Sequence, residues 1–165
     1  VPVYFTLISS MFMHGGWAHL GGNMLYLWIF GDNIENRLGH VRYIAFYLVC
    51  GILASLSHVF STYMTPGSSL IPSLGASGAI SGVLGGYLLL FPTRKVKMFF
   101  YSGIVQVPSY IALGMWIVFQ VVSGLGMLGG EGGGGVAYAA HIGGFIAGLL
   151  LIKLFDKGFR KMQPV

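Results

Sequence analysis

The sequence predicts an all-α fold, a polytopic bundle of transmembrane helices built as one unit over residues 1–165. Three observations predict it. Hydrophobic residues make up 55% of the chain, charged residues 8%, and the mean hydropathy is +0.79, which excludes an ordinary soluble domain. Apolar runs approaching bilayer length recur between short polar breaks. Lastly, the nine Lys and Arg residues fall only in alternate connections between those runs.

In chain order, residues 1–16 are apolar but loop-like, and residues 17–30 form the first candidate span. The second covers 43–63 and the third 74–91. The fourth runs over 108–125, with Pro108 at a helix start, where its missing N–H is tolerated. The fifth covers 136–155, while 98–107 is apolar but short and is expected to lie along the interface or re-enter. Arg37 and Arg42 separate spans one and two, and Arg94, Lys95 and Lys97 separate three and four. Lys153, Lys157, Arg160 and Lys161 close span five, whereas 61–73 and 127–135 carry no basic residue. By the positive-inside rule the basic side is cytoplasmic. The net charge of +5 is therefore topology and calls for no nucleic acid. Residues 1–16 then lie outside, so a cytoplasmic N-terminus requires a further span upstream. The opening Val1-Pro2-Val3, without an initiator Met, also reads as the interior of a longer protein. A lone cysteine, Cys50, excludes an internal disulfide.

Sidedness brings distant polar groups to one level. Ser77 lies a few residues into span three from its outer end, and His141 lies five residues after Val136 on span five. At about 1.5 Å per residue, both fall at similar shallow depth below the outer surface. Gly78, Gly82 and Gly86 recur every fourth residue, as do Gly144 and Gly148, and such stripes let two helices touch. Close packing of these stripes would bring the hydroxyl and the imidazole together. Ser77 has two readings, a small packing residue or a nucleophile.

His19 and Asn23 are one helical turn apart and share a face, with His14 just before them. Polar groups at membrane depth serve either interhelical hydrogen bonding or function. A metal is not expected: His40 is cytoplasmic, His58 stands alone, and neither cysteine nor carboxylate joins His14, His19 and His141. No cofactor is called for. Serine with histidine points to nucleophilic catalysis. Of the four acids, Asp32, Glu35 and Asp156 are cytoplasmic, and Glu131 lies in the glycine-rich loop 129–135. What remains is a Ser-His dyad without an acid. The Asn23 amide, His19 and the Ser77 backbone N–H are the available oxyanion donors.

With these residues placed, the chain resembles the rhomboid intramembrane serine proteases. Gly75-Ala76-Ser77-Gly78 is similar to the family's GxSG motif, which implies that Ser77 is the nucleophile. Ala140-His141-Ile142-Gly143-Gly144, followed by Gly148, resembles the AHxxGxxxG motif and implies that His141 is the base. His14, His19 and Asn23 match the HxxxxHxxxN spacing, which implies oxyanion roles for His19 and Asn23 with His14 in support; Glu35-Asn36-Arg37 resembles the ExR that follows. The family core has six spans, of which about five are present. The Trp-Arg pair typical of the first outer loop is absent from residues 1–16. Ser81 stands where the family often carries an aromatic ring against the histidine, leaving Ser81 either as a hydrogen-bond partner of His141 or as a helix-packing residue.

The resemblance implies an endopeptidase in the lipid bilayer that cleaves transmembrane segments of other proteins near the outer face, in a bacterial inner or plasma membrane. Nothing in the sequence specifies an oligomeric state. The alternative is a catalytically silent rhomboid-like protein that binds membrane clients. A small transporter fits less well, because it would place polar groups near the midplane or on both sides.

Overall fold

The computed structural model describes residues 3–64, 74–101, 103–128 and 137–156. Glu131 and the basic Lys157, Arg160 and Lys161 lie outside them. The chain starts with short helical turns around α1 (Thr6–Ser9), not the loop expected of residues 1–16. Met11 explains their attachment. It is 3% exposed and its terminal methyl occupies the space that a side chain at Gly51 would need. A Ser55 hydroxyl also donates to the Leu7 carbonyl at 3.3 Å.

Next comes α2 (Trp17–Tyr26), which continues through a π-helical turn (Leu27–Gly31) into α3 (Asp32–Leu38). Gly39, at φ 81°, ends α3 where a left-handed residue can close a helix. The long α4 (His40–Met64) follows, then α5 (Ser77–Leu90), α6 (Ser109–Leu128) and α7 (Tyr138–Phe155). By length and apolar composition, His40–Met64, Ser109–Gly126 and Tyr138–Phe155 can each cross a membrane, and Ser77–Leu90 is a shorter apolar helix. The third span thus begins at Ser77, three residues later than expected from residue 74.

Segment 98–107, apolar but short, belongs to a pair of strands. Residues 95–108 form an antiparallel hairpin of β1 (Lys95–Phe100) and β2 (Gly103–Pro108), with Lys97 opposite Gln106 and Met98 opposite Val105. Alternation of Lys95, Val96, Lys97 and Met98, with β-branched Ile104, Val105 and Val107 across from it, favours strand over helix. Pro108 ends β2 instead of opening a helix, and α6 starts at Ser109.

The centre of the bundle is α5. Every residue from Gly78 to Tyr87 is buried, which explains why this helix has no polar face. On one side it lies against α7 at backbone contact. A Cβ on Gly144 would strike the Gly78 carbonyl, one on Gly148 the Gly82 carbonyl, and one on Gly85 the Phe145 carbonyl. On the other side α4 closes in, with Ala54 and Cys50 filling the space beside Gly78 and Gly82. The glycine stripes predicted from spacing are thus the places where the helices touch. Below them Phe46, Ile34, Leu84 and Ile152 pack as fully buried side chains.

At the basic end, Arg37 grips Asp156 with two parallel hydrogen bonds, Nε to Oδ1 at 3.0 Å and Nη2 to Oδ2 at 2.9 Å. This fork joins the C-terminal ends of α3 and α7, so the first and fifth spans finish on the same side, as the charge alternation requires.

Gly144→Val should lower stability by roughly 3 kcal/mol or more, beyond usual overpacking, because the obstructing atom is a backbone oxygen. Thermal unfolding in detergent checks this. Gly114→Ala on α6, whose added Cβ meets nothing within 4 Å, should leave the unfolding temperature unchanged or slightly raised.

Candidate active site

A cleft of about 540 Å³ opens among the outer ends of α2, α5, α6 and α7, and Ser77, His141, His19, Asn23 and Trp116 all line it. Fourteen residues of α5 span about 21 Å, short of a hydrocarbon core of about 30 Å, and Ser77 is the first of them.

Gly75 makes that start possible. It adopts φ 114°, where L side chains are strained, and its N–H donates to the Ser10 carbonyl at 2.9 Å. A Cβ there would come within 2.8 Å of His19 Nε2 and 3.5 Å of Asn23 Nδ2. The glycine thus lets the Ser77 turn approach the polar face of α2.

His141, in the first turn of α7, reaches Ser77. Its Nε2 lies 2.8 Å from Ser77 Oγ, and its Nδ1 lies 2.7 Å from Gln120 Oε1. An amide oxygen only accepts, so this contact requires the proton on Nδ1 and leaves a lone pair on Nε2 facing the hydroxyl. Trp116 packs beside the imidazole with ring centroids 6.1 Å apart. Trp116 and Gln120 are four residues apart and so share one face of α6. Neither was singled out from the sequence. The available signal was Gln120 itself, a lone amide in an apolar run.

The Ser81 hydroxyl donates to the Ser77 carbonyl at 2.6 Å, one turn back in α5, and not to the imidazole. The aromatic ring missing from its position is supplied by Trp116 from another helix.

Across the cleft, the Gly15 N–H donates to His19 Nδ1 at 3.3 Å, which leaves the His19 proton on Nε2, on the ring edge that faces Gly75. Asn23 is 8% exposed, and its Nδ2 is buried without a hydrogen-bond partner among the described residues. His14 Nε2 is likewise buried and unpartnered there, and its ring meets that of His19 edge-on at 5.3 Å. An unmet buried donor costs about 1–3 kcal/mol, a deficit that natural structures keep where a ligand group completes it. Chemically, the arrangement offers a hydroxyl with a bare imidazole nitrogen beside it. Facing them are the Asn23 amide, whose Nδ2 has no acceptor among the described residues, and the His19 imidazole.

The Rhomboid domain profile matches residues 2–157, nearly the whole chain. The chain belongs to the rhomboid family. It is 34% identical to the mitochondrial Rhomboid protein 1 of Saccharomyces cerevisiae, over 96% of this chain and 44% of that protein. It is also 34% identical to the Rhomboid protease GluP of Bacillus subtilis, over 88% of this chain and 25% of that one. RHOMBOID-like protein 4 of Arabidopsis thaliana is 37% identical over 88% of this chain and 32% of its own length. The chain thus spans less than half the length of these curated relatives. Family and apolar helices together make this rhomboid a multi-pass membrane protein.

Gly75→Ala should destabilise the protein by about 1–3 kcal/mol through backbone strain and push the His19 ring aside. Unfolding temperature and the His19 NMR resonances report both effects. Gly16→Ala, at extended backbone with open space around it, should change neither.

Proposed function

We propose that the protein is an intramembrane serine endopeptidase that cleaves transmembrane segments of other proteins near the outer membrane face. One observation carries the reading: the 2.8 Å contact between Ser77 Oγ and an imidazole nitrogen, at the start of a helix of 14 residues, shorter than a full membrane span. In this reading Ser77 is the nucleophile and His141 the general base. As Oγ attacks a peptide carbonyl carbon, Nε2 takes the hydroxyl proton. The carbonyl oxygen becomes an oxyanion, which the Asn23 Nδ2–H, the His19 Nε2–H and the Ser77 N–H are positioned to stabilise. Ser77 opens α5, where first-turn N–H groups have no intrahelical acceptor. The imidazolium then gives its proton to the leaving amine, and water, activated by the same imidazole, hydrolyses the acyl-enzyme.

His14 supports His19 through their edge-on ring contact. Gly75 and Gly78 shape the turn, and Gly144 and Gly148 hold α7 against it. Residues 1–165 act as one domain that needs neither metal nor cofactor. The positive-inside rule directs the cleft away from the cytoplasm of a bacterial inner or plasma membrane. The second reading, a silent rhomboid-like protein that binds membrane clients, has no use for a hydroxyl, a bare imidazole nitrogen and unmet donors in one cleft.

A fluorophosphonate probe separates the two readings. The protein should be labelled, with labelling lost in Ser77→Ala and His141→Ala while both variants unfold at temperatures close to that of the parent. Folded parent protein that resists the probe, yet still captures a single-span client, would favour the binder. Asn23→Ala should reduce turnover of a model single-span substrate by about 10²-fold, because one oxyanion donor is lost.

A further inference from the structure

We infer that Gln120 is a positioning residue that holds His141 in the tautomer able to accept the Ser77 proton. This rests on reading Ser77 and His141 as nucleophile and base. A neutral imidazole has two tautomers, and only the one protonated on Nδ1 leaves Nε2 bare. Whatever faces Nδ1 makes the choice. No described carboxylate does: Asp32 and Glu35 lie on α3 at the opposite end, and Asp156 is held there by Arg37. Gln120 does, with its amide oxygen 2.7 Å from Nδ1.

Burial makes the contact effective. Gln120 is 5% exposed on a helix whose neighbouring positions are apolar, so water does not compete freely for its oxygen. Trp116, one turn earlier, limits the tilt of the imidazole from the same helix face. The Trp116 ring is itself backed by Phe145, with centroids 5.9 Å apart. Orientation of the amide decides the outcome. Turned over, the amide would donate to Nδ1, drive the ring proton onto Nε2 and aim it at the hydroxyl, abolishing the base.

An amide also suits this depth better than an acid. A carboxylate taken out of water costs several kcal/mol even after relaxation, whereas a neutral amide carries no such penalty. As His141 becomes imidazolium during proton transfer, the Nδ1–H bond to the amide oxygen becomes charge-assisted and strengthens. The interaction is therefore greatest when the charge is present.

Gln120→Met keeps length and burial but removes the acceptor, and Gln120→Glu keeps an oxygen at the same reach. In detergent micelles, turnover of a single-span substrate and the 15N resonances of the His141 ring are measured for all three proteins. Gln120→Met should lower kcat by about 10- to 100-fold, with KM changed less than about twofold, and lose the Nδ1-protonated signature. Gln120→Glu keeps an oxygen that can accept from Nδ1–H, so it should retain that signature, with a lower unfolding temperature from its costly charge. Unchanged kcat and ring signature in Gln120→Met overturn the inference. So does lost kcat with the signature intact, which is what mere loosening of α6 would give. If Gln120→Met does not fold, Gln120→Asn, which withdraws the oxygen by one methylene, replaces it under the same criteria. If the parent shows neither cleavage nor probe labelling, the endopeptidase reading fails instead, and the ring signature in parent and variant alone decides what Gln120 does.

Discussion

Backbone contact between α5 and α7 is the constraint on which the rest depends. In lipid, apolar side chains gain little by leaving hydrocarbon for one another, so helices are held by close van der Waals approach and buried polar contacts. Here Gly144 meets the Gly78 carbonyl and Gly148 the Gly82 carbonyl, with no room for even a methyl group. That approach positions the first turn of α7 over the first turn of α5. A 2.8 Å contact between side chains on two separate helices then needs no loop to arrange it. Stability and the meeting of Ser77 with His141 are consequences of one surface.

The cleft follows from two further economies of length and shape. α5 is shorter than a full membrane span, and its first residue, Ser77, lines the cleft. Gly75, in a backbone conformation other residues resist, folds the incoming chain against His19 and Asn23. The four acids illustrate the same physics from the other side. Those described sit at the basic end, where Arg37 neutralises Asp156 and His40 meets Glu35 at 2.6 Å. In the cleft the imidazole of His141 meets the amide of Gln120, and no described carboxylate lines it.

Much of this was legible before any coordinates. Charge alternation between loops placed the ends of the first and fifth spans on one side, and the Arg37–Asp156 fork joins those ends. Spacing alone brought His19 and Asn23 to one face and showed the glycine stripes, since helix geometry leaves little freedom there. Partners across helices were hidden. Gln120 and Trp116 approach His141 from a third helix, and the rotation of α6 about its axis is set by packing that no local pattern encodes. The strand pairing of 95–100 with 103–108 was not read because hydropathy was weighed over the period-two alternation. The helical turns before Gly16 escaped because their anchor, Met11 in the hollow at Gly51, joins residues forty apart.

The π-helical turn at Leu27–Gly31 has a geometric consequence of its own. Asn23, Leu27, Gly31, Ile34 and Leu38 all turn inward or are partly buried, though the first two steps between them are four residues long. A regular α-helix would drift by about 40° at each such step. The wider turn absorbs this slippage, as a leap day keeps a calendar in season. Polar groups above and apolar groups below can then point the same way along one rod. The wide turn holds one residue more than a regular α-turn, so deleting one residue there should restore a regular helix with its two halves still in phase.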